Sequence, residues 1–553
     1  MSAFLRTRAA NRSRTQHLGF LLLLIGCGMS HTFWPQARAS YDAFDSADET
    51  VAEFEANSHA SEEQHRIARL EMSSDPLLVI RYAPIANFAY QLDCVSGVLR
   101  HCVGRADYAK LWFDALGVDA NLSPDVVRWR ELRAEHRRMT QPSASLVVPG
   151  WPYATIDPDS RVLAAGLGSR DMEDYQSRLA LLMHDTISAE ASEIVERLYR
   201  PFIHWWQAEQ DAPGAGAAKV IASRILMPDV QQELASVRAI YGNPRGAERT
   251  AVVHLMFRPG IVDGDSLGGQ NSGLESFAEF FPKEDGDQRV PVIVHEYAHF
   301  VYGSTPVPQA GRLRESIIKS GGDVGGPAWG LLNEALATAL GNGRMQRRLM
   351  SSDRFSDFVE EPRSFYADEF VDRAGKALLP LVDQMAIDGS SIHDDDFANR
   401  FVESLRREFG SELNSPAMHL GDVVVTIDSS LSADGMLDAF GRQIASYSRW
   451  DYRERCCTDR FLRSLTAHPG VTRVALIRSS SIHDFHILPE RLRRALDAVV
   501  SSSGGAVYVR REEGTPPLIV VAVDEDDVAF AEAAFKAIAS SKALVEGFIP
   551  VSR

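Results

Sequence analysis

Beyond its first 25 residues, this 553-residue chain has no run that is both apolar enough and long enough to span a bilayer. It also lacks a basic surplus, since the formal net charge is −17. A surface of that sign repels phosphate backbones and argues against nucleic acid as a partner. Cysteine is scarce, at five residues, and no pair has the C-x-x-C spacing of a thiolate metal site. There is no internal repeat, which excludes a repeat array. The composition that remains is ordinary for a globular protein. An apolar fraction of 45% is enough for a sizeable core, and the length suggests two or three folded units.

The N-terminus carries a targeting pattern. Arg6, Arg8, Arg12 and Arg14 form a basic region without an acid, and Leu18 to Ile25 is a short apolar run. Pro35-Gln36-Ala37-Arg38-Ala39 supplies an A-x-A ending, so residues 1–39 read as a signal peptide. Leu24-Ile25-Gly26-Cys27 offers a second reading as a lipobox, with residues 1–26 removed and Cys27 lipidated. Two or more acyl chains would make a stable membrane anchor. Both readings export the chain, to the periplasm, the cell envelope or the extracellular space. Export places Cys94, Cys102, Cys456 and Cys457 in an oxidising compartment. Cys94 and Cys102 are the first expected pair, with Gly97 between them to allow a turn. A bridge between the adjacent Cys456 and Cys457 is strained.

Residues 40–75 are polar and acidic and suit a solvated linker. Residues 172–206 read mostly as helix, interrupted near Pro201, and Ala212-Pro213-Gly214-Ala215-Gly216 reads as a loop. Thr250 to Phe257 reads as a strand, followed by a stretch rich in glycine that includes Gly268, Gly269 and Gly273. Val292 to Tyr302 reads as a buried helix ended by Pro306 and Pro308. Residues 328–467 look mainly helical, with Val423-Val424-Val425 a strand-like exception. From about 470 to 553 the pattern is β-α-β-β-α, a small α/β domain with no cluster that suggests chemistry.

The chemical signal is His295-Glu296-Tyr297-Ala298-His299. Residues four apart share a helix face, so both imidazoles can reach one zinc ion. Glu296 lies one step round, placed to take a proton from an attacking water without being a ligand. A catalytic zinc needs a third protein ligand and one open position. The metzincin pattern is absent, because Tyr302 and Thr305 occupy the positions that would need Gly and His. Glu315 and Asp323 are conceivable ligands outside any motif. Glu334 is the better candidate, in a helical run from Leu331 to Leu340 that Gly341-Asn342-Gly343 would end. Ala335, Ala337 and Ala339 would let that run pack closely on the motif helix.

H-E-x-x-H followed on a later helix by N-E-x-x-A resembles the gluzincin superfamily of zinc metallopeptidases. The resemblance covers about residues 230–345 and implies His295, His299 and Glu334 as zinc ligands, with Glu296 as general base. It implies an α+β fold: a mainly helical zincin-like peptidase region over 76–467, its catalytic core about 230–400, with a short sheet. It also implies a downstream Tyr or His that stabilises the oxyanion, for which the chain offers Tyr366, preferred as the start of an apparent helix, and His393. Thr250 to Phe257 resembles the edge strand on which peptidases lay an extended substrate. The expected activity is Glu296-assisted attack of zinc-bound water on a peptide bond, with a peptide or protein substrate. The alternatives are an envelope binding protein that keeps the metal fold without turnover, and a structural or assembly protein with an accidental motif.

Overall fold

The computed structural model describes residues 77–552, apart from 100–107, 118–121, 140–157, 244–249, 260–267, 273–274, 282–285, 447, 467–469, 513–514 and 525–526. The targeting segment, Cys27, the acidic linker and Cys102 therefore lie outside the described residues. The chain is α+β and mostly helical, with two sheets.

The first sheet has four strands: β1 (Leu78–Arg81), β2 (Ala251–Met256), β3 (Gly269–Ser272) and β4 (Glu275–Glu279), in the order β1-β2-β4-β3. β2 runs parallel to both β1 and β4, and β3 closes the sheet antiparallel to β4. The β-branched run of β2 is buried at five of its six positions, as expected of a parallel strand covered on both faces. β2 is therefore interior, not the substrate-bearing edge its sequence suggested. Among the described residues the outer strands are β1 and β3, and the four residues of β3, Gly-Gln-Asn-Ser, carry little strand propensity. Their position follows from pairing with β4.

Two breaks fall elsewhere than the composition suggests. The helical stretch after Met172 divides into Met172–Leu182 and Asp185–Trp205, and Pro201 sits inside the second. The break comes at Met183-His184, where the Thr186 N–H donates to His184 Nδ1 at 3.3 Å. The Ala-Pro-Gly run at 212–216 is not a loop. It lies inside the helix Asp211–Ile225, which a π-helical turn, Trp206–Gln210, joins to Asp185–Trp205. Pro213 sits in the turn just after that π turn. Gly214 presses on the Tyr82 ring with no room for a side chain, so it serves packing and not a turn.

The second sheet has six strands: β5 (Asp422–Asp428), β6 (Ser448–Glu454), β7 (Thr472–Arg478), β8 (Gly505–Arg510), β9 (Leu518–Val523) and β10 (Gly547–Ile549), in the order β10-β8-β9-β7-β5-β6. β6, β5, β7 and β9 are parallel. Helices Ala433–Gln443 and Val528–Ala539 contribute to the core on one face, and Asp459–Leu465 and Glu490–Ser503 to the core on the other. The β-α-β-β-α order expected from 470 onward is present, and the sheet also takes in β5 and β6 from before that point. Val424, Trp450 and Val471 join the large core of the helical region. Cys456 and Cys457 are bonded to each other across a cis peptide. Cys94 is also disulfide-bonded.

Candidate metal centre

The motif helix spans Gly286–Gly303, and nearly all of it is buried. Val290, Ile293, Val294, Ala298 and Val301 hold it in the core, and His295, Glu296 and His299 are drawn in with them. Polar groups in such a place need partners. The partner helix, Gly325–Thr338, carries Asn333 and Glu334 and is also mostly buried.

His295 Nε2 and His299 Nε2 lie 3.0 Å apart. Glu334 Oε2 is 3.6 Å from His295 Nε2, and Glu334 Oε1 is 3.5 Å from His299 Nε2. A tetrahedral ion with bonds of about 2.0–2.1 Å separates its ligand atoms by roughly 3.3 Å. The three measured separations bracket that edge, and this buried group can hold a metal ion. It is the one such cluster among the described residues, so neither Glu315 nor Asp323 is the third member. Asp323 is exposed and faces Arg511.

A second layer orients the imidazoles. His299 Nδ1 lies 3.1 Å from Asn333 Oδ1, which fixes the Nδ1–H tautomer and leaves Nε2 free to ligate. Asn342 sits beside His295 and favours its protonated form, and Asn342 Nδ2 donates to the Phe365 carbonyl at 2.7 Å. Asn342 reaches that place because the helix does not stop at Gly341-Asn342-Gly343. It widens into a π-helical turn, Ala339–Met345, and runs on to Leu349. A Cβ on Gly341 would stand 2.5 Å from the Pro291 carbonyl oxygen and 2.7 Å from the His295 nitrogen. The glycine is there to let two helix backbones touch, and π turns of this kind concentrate at functional sites.

The charges are strongly coupled. Burial opposes the carboxylate of Glu334, but His299 and His295 outweigh it and hold the group well below the usual carboxylate range. Burial likewise opposes a charged His299, yet Glu334, Glu296 and Asn333 push it up to about 9. His295 moves down, chiefly through burial. Glu296 is 2% exposed, and burial pushes its carboxyl up to about 8. Its Oε2 has no hydrogen-bond partner among the described residues.

The Tyr366 ring stacks on the His295 ring, with centroids 5.9 Å apart and planes 21° from parallel. Tyr366 does not begin a helix. It lies in the turn before Glu369–Asp388, and Asp372 Oδ1 accepts from its N–H at 3.3 Å. His393 packs on Gly242 and interacts with the Tyr241 backbone, Arg312 and Asp394, with none of the three ligands among its partners. The structure therefore gathers His295, Glu296, His299, Glu334 and Tyr366, and leaves His393 aside. Asn333 and Gly269 appear in the sequence reading without a role, and Asn342 only as part of a helix stop. The local signal is an amide beside Glu334 and a glycine opening a short strand.

Comparison with known proteins finds no matching family model, no similar curated protein and no similar solved structure.

Proposed function

We propose that this chain is an exported zinc-dependent hydrolase acting on peptide bonds, a metallopeptidase of gluzincin type with a zincin-like helical domain. The observation that carries the reading is the buried convergence of two imidazoles and one carboxylate beside a carboxyl group, Glu296, that has a free oxygen. Two nitrogens and one oxygen suit zinc and leave a position open for chemistry. Zinc, when bound, supplies Lewis-acid polarisation of a carbonyl and makes water acidic near neutrality.

Each remaining role belongs to a side chain. Glu296, raised toward neutrality, is tuned to take a proton from the attacking water and return it to the leaving amine. Asn333 keeps the His299 imidazole aimed. Tyr366, stacked on His295, is placed to donate its hydroxyl to the oxyanion of the attacked carbonyl. β3 lies beside the motif helix, and an extended peptide laid along that side would pass the site. A binding protein without turnover would have no use for a base held at such cost.

The test pairs metal analysis with one substitution. Purified protein should contain about one zinc per chain and cleave peptides from a mixed library. Glu296→Gln should keep the zinc and lose roughly 10²–10⁴-fold in turnover. Peptide cleavage that survives Glu296→Gln unchanged would show that it does not arise at this site.

A further inference from the structure

Gly269 opens β3 and Gly268 precedes it, and the pair is contacted from two sides. On one side lies Glu279, a fully buried carboxylate at the end of β4. Its Oε2 accepts from the Gly268 N–H at 2.7 Å, and its own N–H donates to the Gly268 carbonyl at 2.8 Å. Tyr90 donates its hydroxyl to Glu279 Oε1 at 2.5 Å. Arg258, itself buried, pairs with the same carboxylate at 2.5 Å. Tyr90 and Arg258 thus fix the Glu279 carboxylate, which in turn holds Gly268, the residue just before the strand. Buried charges placed this way are fixed, because separating them leaves one uncompensated.

On the other side lies the general-base candidate. A Cβ on Gly269 would stand 2.6 Å from Glu296 Oε1 and 3.1 Å from Val292 Cγ1. The strand therefore runs against the Glu296 carboxyl, and a methyl group there fits only if that carboxyl moves away. Glycine inside a strand commonly marks such a close approach.

We infer that Gly269, which follows the Gly268 held by Glu279 of the Glu279–Arg258–Tyr90 cluster, is a positioning residue for Glu296: the strand is the wall that keeps the carboxyl turned toward the metal site. The inference rests on the proposed hydrolytic role of Glu296, but its test does not depend on turnover alone.

Gly269→Ala, Glu296→Ala and the double variant form a cycle. Gly269→Ala alone should retain zinc and lower kcat roughly 10²-fold, the scale of a misplacement near 1 Å. Beside Glu296→Ala, where there is no base to displace, it should cost no further activity. The second measurement is thermal unfolding of the chelated protein. Gly269→Ala should lower Tm by roughly 3–6 °C through overpacking. That loss should largely vanish beside Glu296→Ala, because the shortened side chain vacates the space. Equal losses in both backgrounds would overturn the inference, and so would an unchanged kcat for Gly269→Ala. If wild-type turnover proves independent of Glu296, the hydrolase reading fails, and the Tm cycle still decides the contact. Tyr90→Phe, which removes one bond to Glu279 and keeps the Arg258 pair, should lower kcat roughly 3–10-fold with zinc and KM intact. An unchanged kcat there would remove Glu279 from the clamp.

Discussion

A buried carboxyl with no full set of partners should destabilise the protein that carries it, and the Glu296→Gln variant measures by how much. Glu296 has its pKa pushed from an ordinary 4.5 to about 8 in the folded, metal-free chain. Between those values the folded state binds more protons than the unfolded one, so stability falls as pH rises across the window. Below about pH 4.5 both states are protonated and the effect is absent. Each pH unit above that costs about 1.4 kcal/mol until the folded carboxyl ionises, near pH 8. At about pH 7 the penalty is about 3 kcal/mol. Gln has the same shape and no titration, so the variant escapes the loss; His299, whose upward shift Glu296 supports, relaxes with it, and the comparison reads the coupled pair. Urea unfolding of chelated wild type and Glu296→Gln, from about pH 5 to about pH 8, should show the variant gaining steadily on the wild type. Adding zinc should shrink the gap, because a nearby cation favours the carboxylate. A stability difference that does not change with pH, or a variant less stable than wild type near pH 8, would refute the reasoning.

Asn333→Ala should lower metal affinity roughly 10–100-fold by freeing the His299 ring, as read by competition with a chelating dye, with the fold retained by circular dichroism. Tyr366→Phe should spare zinc and reduce turnover roughly 10²–10³-fold if its hydroxyl serves the oxyanion; an unchanged rate would leave the ring only as a packing face for His295. Gly341→Val should cost at least about 2 kcal/mol in unfolding free energy and weaken zinc binding, since its side chain would push into the motif-helix backbone. Protein recovered from the native host should begin near Ser40 or at a lipidated Cys27 by mass spectrometry, and an intact Met1 terminus would sink the export reading.

The His295, His299 and Glu334 group was legible because a site able to hold a metal restricts residue type and spacing at once. Two imidazoles on one helix face must be four apart, and an acid between them can act only from the next position round. Glu334 could be found from its place in the helical run Leu331 to Leu340 and from the resemblance that Asn333-Glu334 carries. The order of elements after residue 470 was legible for a different reason. Short runs such as Leu518 to Val521 are too apolar and too β-branched to be anything but buried strand, and they alternate cleanly with amphipathic helices.

Position within a sheet was another matter. Nothing in Thr250 to Phe257 says that Leu78–Arg81 and Glu275–Glu279 will pair on its two sides. A strand's status as edge or interior is decided by distant partners and not by its own residues. Gly-Pro and Gly-Asn-Gly runs misled for a related reason. Read locally, they break helices. In the fold, Gly214 answers to Tyr82 and Gly341 to the backbone at Pro291 and His295. The need for a missing side chain was set across the interface, while the helical hydrogen bonding adjusted, by a π turn, to keep going. Glycine next to a metal-ligand motif is therefore better weighed as a close-approach residue before it is taken as a stop. At Gly341 and Gly269 the two readings differ in consequence, because a turn tolerates alanine far better than a contact of 2.5–2.7 Å does.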